Sequence, residues 1–428
     1  MPSTIGLSLA QRVAELKPSV TVALTNRAKR LKAEGRDVLI FAAGEPDFDT
    51  PGPIKRAAKA ALDDGLTGYQ PTLGDNETRG VIAEKLAREN AIPGLSAEHV
   101  AISAGGKHSL FVAMHCLLDP PGQDPAPGEQ QAQVLIPTPA WVSYRPIAEL
   151  AGGRVTEIPA PPEADFKITP DQLAAAITPA SRVLVLNSPS NPCGTMYTPE
   201  ELAALARVVA DKADSVAPGL VVISDEIYEK IVYGGIEHRS IGSFPEIAER
   251  TLTINGLSKA FAMTGWRVGY AAMPGDFGAS FIKAMGTLQG QMTTNITSFV
   301  YPAIRTALTD PAVAEEVERM RTAFAARAER ITAALADIPG LVCPRPTGAF
   351  YVFPDISTLL GTTSPGGRPI GSAVDLCEAL LEEAEIAFVP GDDFGGCGDR
   401  CVRISFACDE ATIDAGMQRF KSFVNDLR

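Results

Sequence analysis

Five stretches of this chain place chemically capable side chains directly after short β-rich runs. TLTIN is followed by GLSKAFAMTGWR, which holds Lys259 and Arg267 among small residues with no acid between them. LVVIS is followed by DEIYEK, with Asp225 and Tyr228, and RVLVL by NSPSNPCGT, with Asn191. AQVLIP is followed by TPAWVSY, with Trp141, and HVAIS by AGGKH, with Gly105, Gly106 and Lys107. In an open parallel sheet, ligands bind beyond the carboxyl ends of the strands, so five such ends can share one site. Each stretch also has an ordinary reading: a surface lysine, a helix cap, a tight turn, a packed tryptophan. Together they supply an amine, an acid, an amide, a flat aromatic ring, and a glycine-bordered helix start with a cation in the set.

That set meets the needs of pyridoxal phosphate. Its aldehyde bonds to a lysine amine, and its ring nitrogen needs an acid partner to make the ring an electron sink. Its phosphate suits free N–H groups at a helix start and a cation. A lysine desolvated at a strand end, beside a bound cation, has a lowered pKa and becomes a usable nucleophile.

The elements that must position these residues alternate. From about residue 98, short β-rich runs exchange with helical stretches, which predicts a mostly parallel sheet covered by helices. Two helical patterns open the chain at about Ser8–Glu15 and Val20–Glu34, and another begins near Pro53. A long helix is predicted from Thr309 onwards. Strands follow near Ala349–Phe353, Ile386–Val389 and Cys401–Phe406, with helices at about Ala373–Ala384 and Glu410–Asn425. Residues 120–133 and Leu359–Ser372 are rich in Pro, Gly and polar residues and read as surface loops.

The chain has 428 residues and a net charge of −13, so phosphate backbones and anionic membranes are poor partners. No apolar run approaches the roughly 20 residues of a membrane helix, and the start lacks a secretory pattern. Cys397, Cys401 and Cys408 cluster without a nearby histidine or a CxxC pair, so reduced thiols are expected rather than zinc. A cytoplasmic location is the expectation.

AAGEPDFDTP, GGK at a helix start, WVSY, NSPSNPCG, SDEIYE, SKAFAMTGWR, GAFY and VRISFA occur in that order. With them the chain resembles, from about Leu9 to its C-terminus, the class I aminotransferases of fold type I, in particular the bacterial aspartate and aspartate/prephenate subgroup. The resemblance implies an α/β fold: a large domain, residues 53–308, with a mostly parallel seven-stranded sheet between helices. A smaller α+β domain would combine residues 1–52 with 309–428. It implies pyridoxal 5′-phosphate, held by Lys259, which would also move the substrate proton. Asp225 would pair the ring nitrogen, Tyr228 and Asn191 would reach the ring oxygen, and Trp141 would stack on the ring. Gly105, Gly106, Lys107, Ser258 and Arg267 would surround the phosphate. Arg403, in VRISFA, would clamp the α-carboxylate of an amino acid or 2-oxo acid with help from Gly44. Family members share each site between two subunits. Tyr69 and Thr294 would therefore serve a neighbour's phosphate in a homodimer.

Animal and enteric-type relatives bind the distal carboxylate of aspartate through a partner's arginine; Gly290 stands about there in this chain. In the bacterial subgroup Lys107 would take that role, with Thr21 in the segment that closes over substrate. Gly256 replaces a phosphate-binding serine of some relatives. The implied reaction moves the amino group of L-aspartate to 2-oxoglutarate. The same fold also serves prephenate, aromatic or kynurenine-like substrates, or C–S lysis. A non-catalytic sensor would need a DNA-binding domain, and a nicotinamide dehydrogenase a GxGxxG turn; neither pattern is present.

Overall fold

The computed structural model describes residues 9–16, 20–120 and 131–428. Its centre is a seven-stranded sheet. In chain order the strands are β1 (Val100–Ser103), β2 (Gln133–Thr138), β3 (Arg154–Pro159), β4 (Ser181–Asn187), β5 (Val221–Asp225), β6 (Thr251–Gly256) and β7 (Gly269–Ala272). They lie side by side as β1-β7-β6-β5-β4-β2-β3. All neighbours are parallel except β7, which runs against both β1 and β6. Strands β1, β6 and β7 are buried at every residue and β5 at all but its last, as expected where helices cover both faces.

One face packs under the helices Gly106–Leu117, Tyr144–Leu150 and Gly275–Gly290, whose Leu110, Met114, Ile147, Phe281 and Ile282 meet Val134, Val185 and Ile223. On the other face Leu173, Leu202, Leu205 and Val209 cover Leu135, Leu184 and Val222. Local signals set the covering helices. Thr198 and Glu201 cap the helix Pro199–Ser215 reciprocally, with Pro199 at its first position. Asp75 caps Asn76–Glu89 by accepting from Thr78 N at 2.8 Å.

The long helix Pro311–Ala336 begins behind the Asp310 cap and packs on Glu410–Asn425. Beside it lies a three-stranded antiparallel sheet of Tyr351–Val352, Val402–Ser405 and Val389–Pro390. The early strand Leu39–Ile40 pairs in parallel with Ile386–Ala387. The opening helices are shorter than their patterns, Gln11–Ala14 and Val20–Ala33, and the side chain of Thr21 lies outside the described residues. Residues 121–130 of the first expected loop also lie outside them.

The stretch Leu359–Ser372 differs from the expected plain loop. Thr362–Thr363 and Pro369–Ile370 form an antiparallel hairpin. Arg368 reaches from it to Glu378 and Glu382, and Ser364 to Glu383, so side-chain bonds to the next helix order a segment whose composition reads as irregular. Among the described residues no helix is long and apolar enough to cross a membrane.

Candidate active site

Turns beyond the strand ends converge on a cavity of about 380 Å³. Its wall contains Gly106, Lys107, Trp141, Asn191, Asp225, Tyr228, Ser258, Lys259, Arg267 and Arg403, with Gly44 at the edge. Four cations therefore meet one lining carboxylate, in a chain whose net charge is −13. A cavity so lined recruits an anion carrying more than one negative charge.

Lys259 follows β6, and its Nζ donates to the carbonyl of Gly44 at 2.5 Å. Burial above all, then the charge of Arg403, brings its pKa down to about 8. Desolvation and a neighbouring cation were both expected, and removal from water comes first. Between pH 8 and the ordinary value of 10.5, the unfolded chain holds a proton on this amine that the folded chain does not. Stability therefore rises through that window, and below it the desolvated charge opposes folding. Cofactor-free Lys259→Met is accordingly expected to be more stable than the parent at pH 7, by on the order of 2 kcal/mol. The difference should close as the pH rises past 10, which denaturant melts at several pH values will check.

Asp225 ends β5. Its Oδ2 accepts from the hydroxyl of Tyr144 at 2.7 Å, and its backbone carbonyl accepts from Asn187 Nδ2 at 2.9 Å. Burial raises its pKa, while the hydrogen bonds from Tyr144 and the Ile227 amide oppose that rise. Tyr228 is buried, with its hydroxyl 3.0 Å from that of Tyr351 and its ring below Lys259 Nζ.

The helix start behaves as its sequence suggests. Gly105 caps Gly106–Leu117 with a φ of 97°, open to glycine at little cost. A Cβ there would lie 2.3 Å from Arg267 Nη2, so the missing side chain is what lets the guanidinium reach this turn. Arg267 donates to the carbonyls of Thr264 and Ala104, at 2.9 and 3.2 Å. Trp141 stands edge-to-face with Tyr144, and Lys107 Nζ lies 4.7 Å from the Trp141 ring centre.

Arg403 comes from the distant strand Val402–Ser405 and is 6% exposed. It donates to Asn191 Oδ1 at 3.0 Å and to the Ala42 carbonyl at 3.2 Å. Its Nε is buried without a partner among the described residues, and its guanidinium lies over the Tyr351 ring. A buried guanidinium with a spare N–H and no ion pair among the described residues fits a carboxylate ligand.

Two expected residues are elsewhere. Tyr69, 91% exposed, and Thr294 line a separate open depression. Gly290 ends its helix away from the cavity. Gly256 is buried in β6, where a Cβ would strike the Val268 carbonyl at 2.7 Å; close strand packing fills the place where a serine would stand. Tyr144, Asn187 and Tyr351 are among the lining residues that escaped the sequence reading. Tyr144 was within reach, because it stands three residues past Trp141 at the start of a helix.

The donor set fits pyridoxal phosphate: a glycine cradle and Arg267 for a phosphate, Asp225 for a cationic ring nitrogen, and a half-buried amine opposite. Fold and site together define a pyridoxal-phosphate-dependent transferase of the α/β type. Residues 36–420 match the family model for aminotransferase class I and II. The chain belongs to this family, and its chemistry depends on pyridoxal 5′-phosphate. It is similar to an aspartate aminotransferase of Geobacillus stearothermophilus, at 42% identity over 98% of this chain and 99% of the relative. An aspartate/prephenate aminotransferase of Cereibacter sphaeroides matches equally, at 42% over 98% and 99%. Among solved structures, the aspartate aminotransferase of Rhizobium meliloti superposes with a TM-score of 0.89, at 36% identity over 99% of this chain and 100% of that one. The Thermus thermophilus aspartate aminotransferase with maleate gives 0.86, at 39% identity over 97% and 100%.

Proposed function

We propose that this protein transfers the amino group of L-aspartate to 2-oxoglutarate, giving oxaloacetate and L-glutamate in two half-reactions. The observation that carries this reading is the charge of the cavity wall. Arg267 and the helix start serve a phosphate, and Arg403 with Asn191 serves an α-carboxylate. Lys259 is committed to chemistry. That leaves Lys107 at the mouth for a second carboxylate, which an acidic substrate supplies. Relatives named for aspartate, at 42% identity, support the same choice.

Bound pyridoxal phosphate supplies an aldehyde that takes up the amino group and a protonated ring that accepts the electron pair left at Cα. Asp225 would hold the ring proton, steadied by Tyr144. Tyr228 and Asn191 would serve the ring oxygen, and Trp141 would stack on the ring. Ser258, Gly105 and Gly106 would join Arg267 at the phosphate. Arg403 fixes the α-carboxylate and so aims the Cα–H bond. Lys259, with its pKa lowered to about 8, would take that proton from Cα and pass it to the carbon that brought the cofactor's aldehyde.

The exposed ring of Tyr69 and the neighbouring Thr294 support a homodimer in which these residues complete the partner's site. The pairing of Leu39–Ile40 with Ile386–Ala387 supports a small domain of residues 1–52 and 309–428 beside a large one of residues 53–308. Seven unpaired cysteines support a reducing, cytoplasmic setting.

A donor and acceptor panel on purified protein tests the substrate. Aspartate with 2-oxoglutarate should exceed alanine and aromatic donors in kcat/KM by at least about tenfold, the worth of one partly exposed charge pair. Equal or better rates with prephenate would move the assignment to that acceptor. Pyruvate released without any acceptor would mark a lyase.

A further inference from the structure

The turn that carries Asp225 and Tyr228 has a second side. Glu226 and Glu229 alternate with those residues, and the three-residue spacing puts each pair on its own side of the turn. Glu229 N donates to the Glu226 carbonyl at 3.0 Å, and Glu226 N to the carbonyl of Ile254 in β6 at 2.9 Å. Away from the cavity, the two glutamates enter a buried polar network.

Glu226 is 1% exposed. Its Oε1 accepts from Ser224 at 2.8 Å and Ser240 at 2.6 Å, and its Oε2 from Asn90 Nδ2 at 3.1 Å. Asn90 Nδ2 also donates to Glu229 Oε2 at 2.6 Å. Lys85, 2% exposed, pairs with Glu229 and donates to Asn90 Oδ1 at 2.8 Å. Asn90 caps the C-terminus of the helix Asn76–Glu89, so one helix end grips the turn through two side chains. At the rim, Lys230 pairs with Glu89, and His238 Nε2 stands 3.9 Å from Glu226 with no hydrogen-bond partner among the described residues. Of the three carboxylates, Glu229 and Glu89 each have a lysine, and Glu226 is held by neutral donors alone.

We propose that this network is the device that holds the catalytic turn, with Glu226 and Glu229 as positioning residues for Asp225 and Tyr228. Glu226 also acts through its charge, one residue from Asp225. The inference rests on the reading of Asp225 and Tyr228 given above. Two properties favour positioning over plain packing. A core of this size is filled most cheaply by apolar side chains, because a buried ion pair rarely gains over a hydrophobic replacement. The network also touches the site's own strand end, through Ser224, and not only remote surface. In support, the Glu226 charge opposes ionisation of Asp225.

The test compares wild type, Glu226→Gln and the double variant Lys85→Met with Glu229→Gln, each stripped and reloaded with pyridoxal phosphate. Glutamine keeps Oε1 for the two serines, removes the charge and gives up the bond from Asn90, whose Nδ2 keeps Glu229 as its acceptor. The double variant removes both ends of the ion pair, so no buried charge is stranded. Three quantities are read: melting temperature without cofactor, the dissociation constant of pyridoxal phosphate, and the pH midpoint of its near-visible absorption. The double variant should melt within a few degrees of wild type yet bind the cofactor at least about tenfold more weakly, since a turn free to shift loses its alignment. Glu226→Gln should lower the absorption midpoint by about half a unit, because a negative charge beside the site favours the protonated form. Wild-type affinity and an unshifted midpoint in both variants would overturn the proposal, whatever the melting temperatures. If the double variant does not fold, the midpoint of Glu226→Gln decides alone. A wild type that fails to bind pyridoxal phosphate would overturn the functional reading instead.

Discussion

Lys259→Ala should lower turnover by at least about four orders of magnitude, the combined worth of a covalent anchor and a positioned proton carrier. No described neighbour can replace it. Among the described residues Lys107 is the only other amine lining the cavity, and it lies over Trp141 rather than at Gly44. The loss should fall on kcat, because the groups that bind phosphate and carboxylate remain. The phosphate cradle and Arg403 are intact in the variant, so the cofactor should still bind, without the near-visible band of a lysine-bound ring. Steady-state turnover within a hundredfold of wild type, or a retained band, would contradict the assignment.

The second large effect is expected from Asp225→Asn, a loss of about a thousandfold in kcat/KM. The side-chain shape and the Tyr144 contact survive this change. What goes is the negative charge that keeps a proton on the ring nitrogen, and with it the ring's capacity to accept electrons. Tyr144→Phe provides the comparison. It removes one hydrogen bond at 2.7 Å from a carboxylate that burial already pushes towards protonation. Its cost should be nearer tenfold, within the range of a single bond to a charged group. Steady-state kinetics on the two variants will check the order; a Tyr144→Phe loss as large as that of Asp225→Asn would mean that the hydroxyl acts on the substrate directly.

Much of this site could be read from local pattern. The strands that carry the site are apolar runs followed by turns with polar residues, and chain topology alone collects such ends at one edge of a parallel sheet. That is why Lys259, Asp225, Asn191, Trp141 and the Gly105–Gly106 turn could be placed together. Arg403 and Tyr351 come from strands outside the central sheet, and only the resemblance tied Arg403 to the cavity. Tyr351 stayed unnoticed for the same reason. The network behind Asp225 was illegible for another. Lys85 sits in an ordinary helical pattern, where a lysine reads as solvent-exposed, and its partner Glu229 is 144 positions away. Only the packed structure buries the pair. The hairpin at Thr362–Ile370 was hidden by composition, since turn residues dominate it and bonds from Arg368 and Ser364 to the next helix give it order.

The central claim is that one particular amine carries the cofactor. Borohydride reduction of the protein loaded with pyridoxal phosphate fixes the cofactor to whichever amine it has bonded, and peptide mass analysis then finds it. The account predicts one label per chain, on the peptide containing Lys259. Label on Lys107 or on another lysine, or none at all, would contradict it.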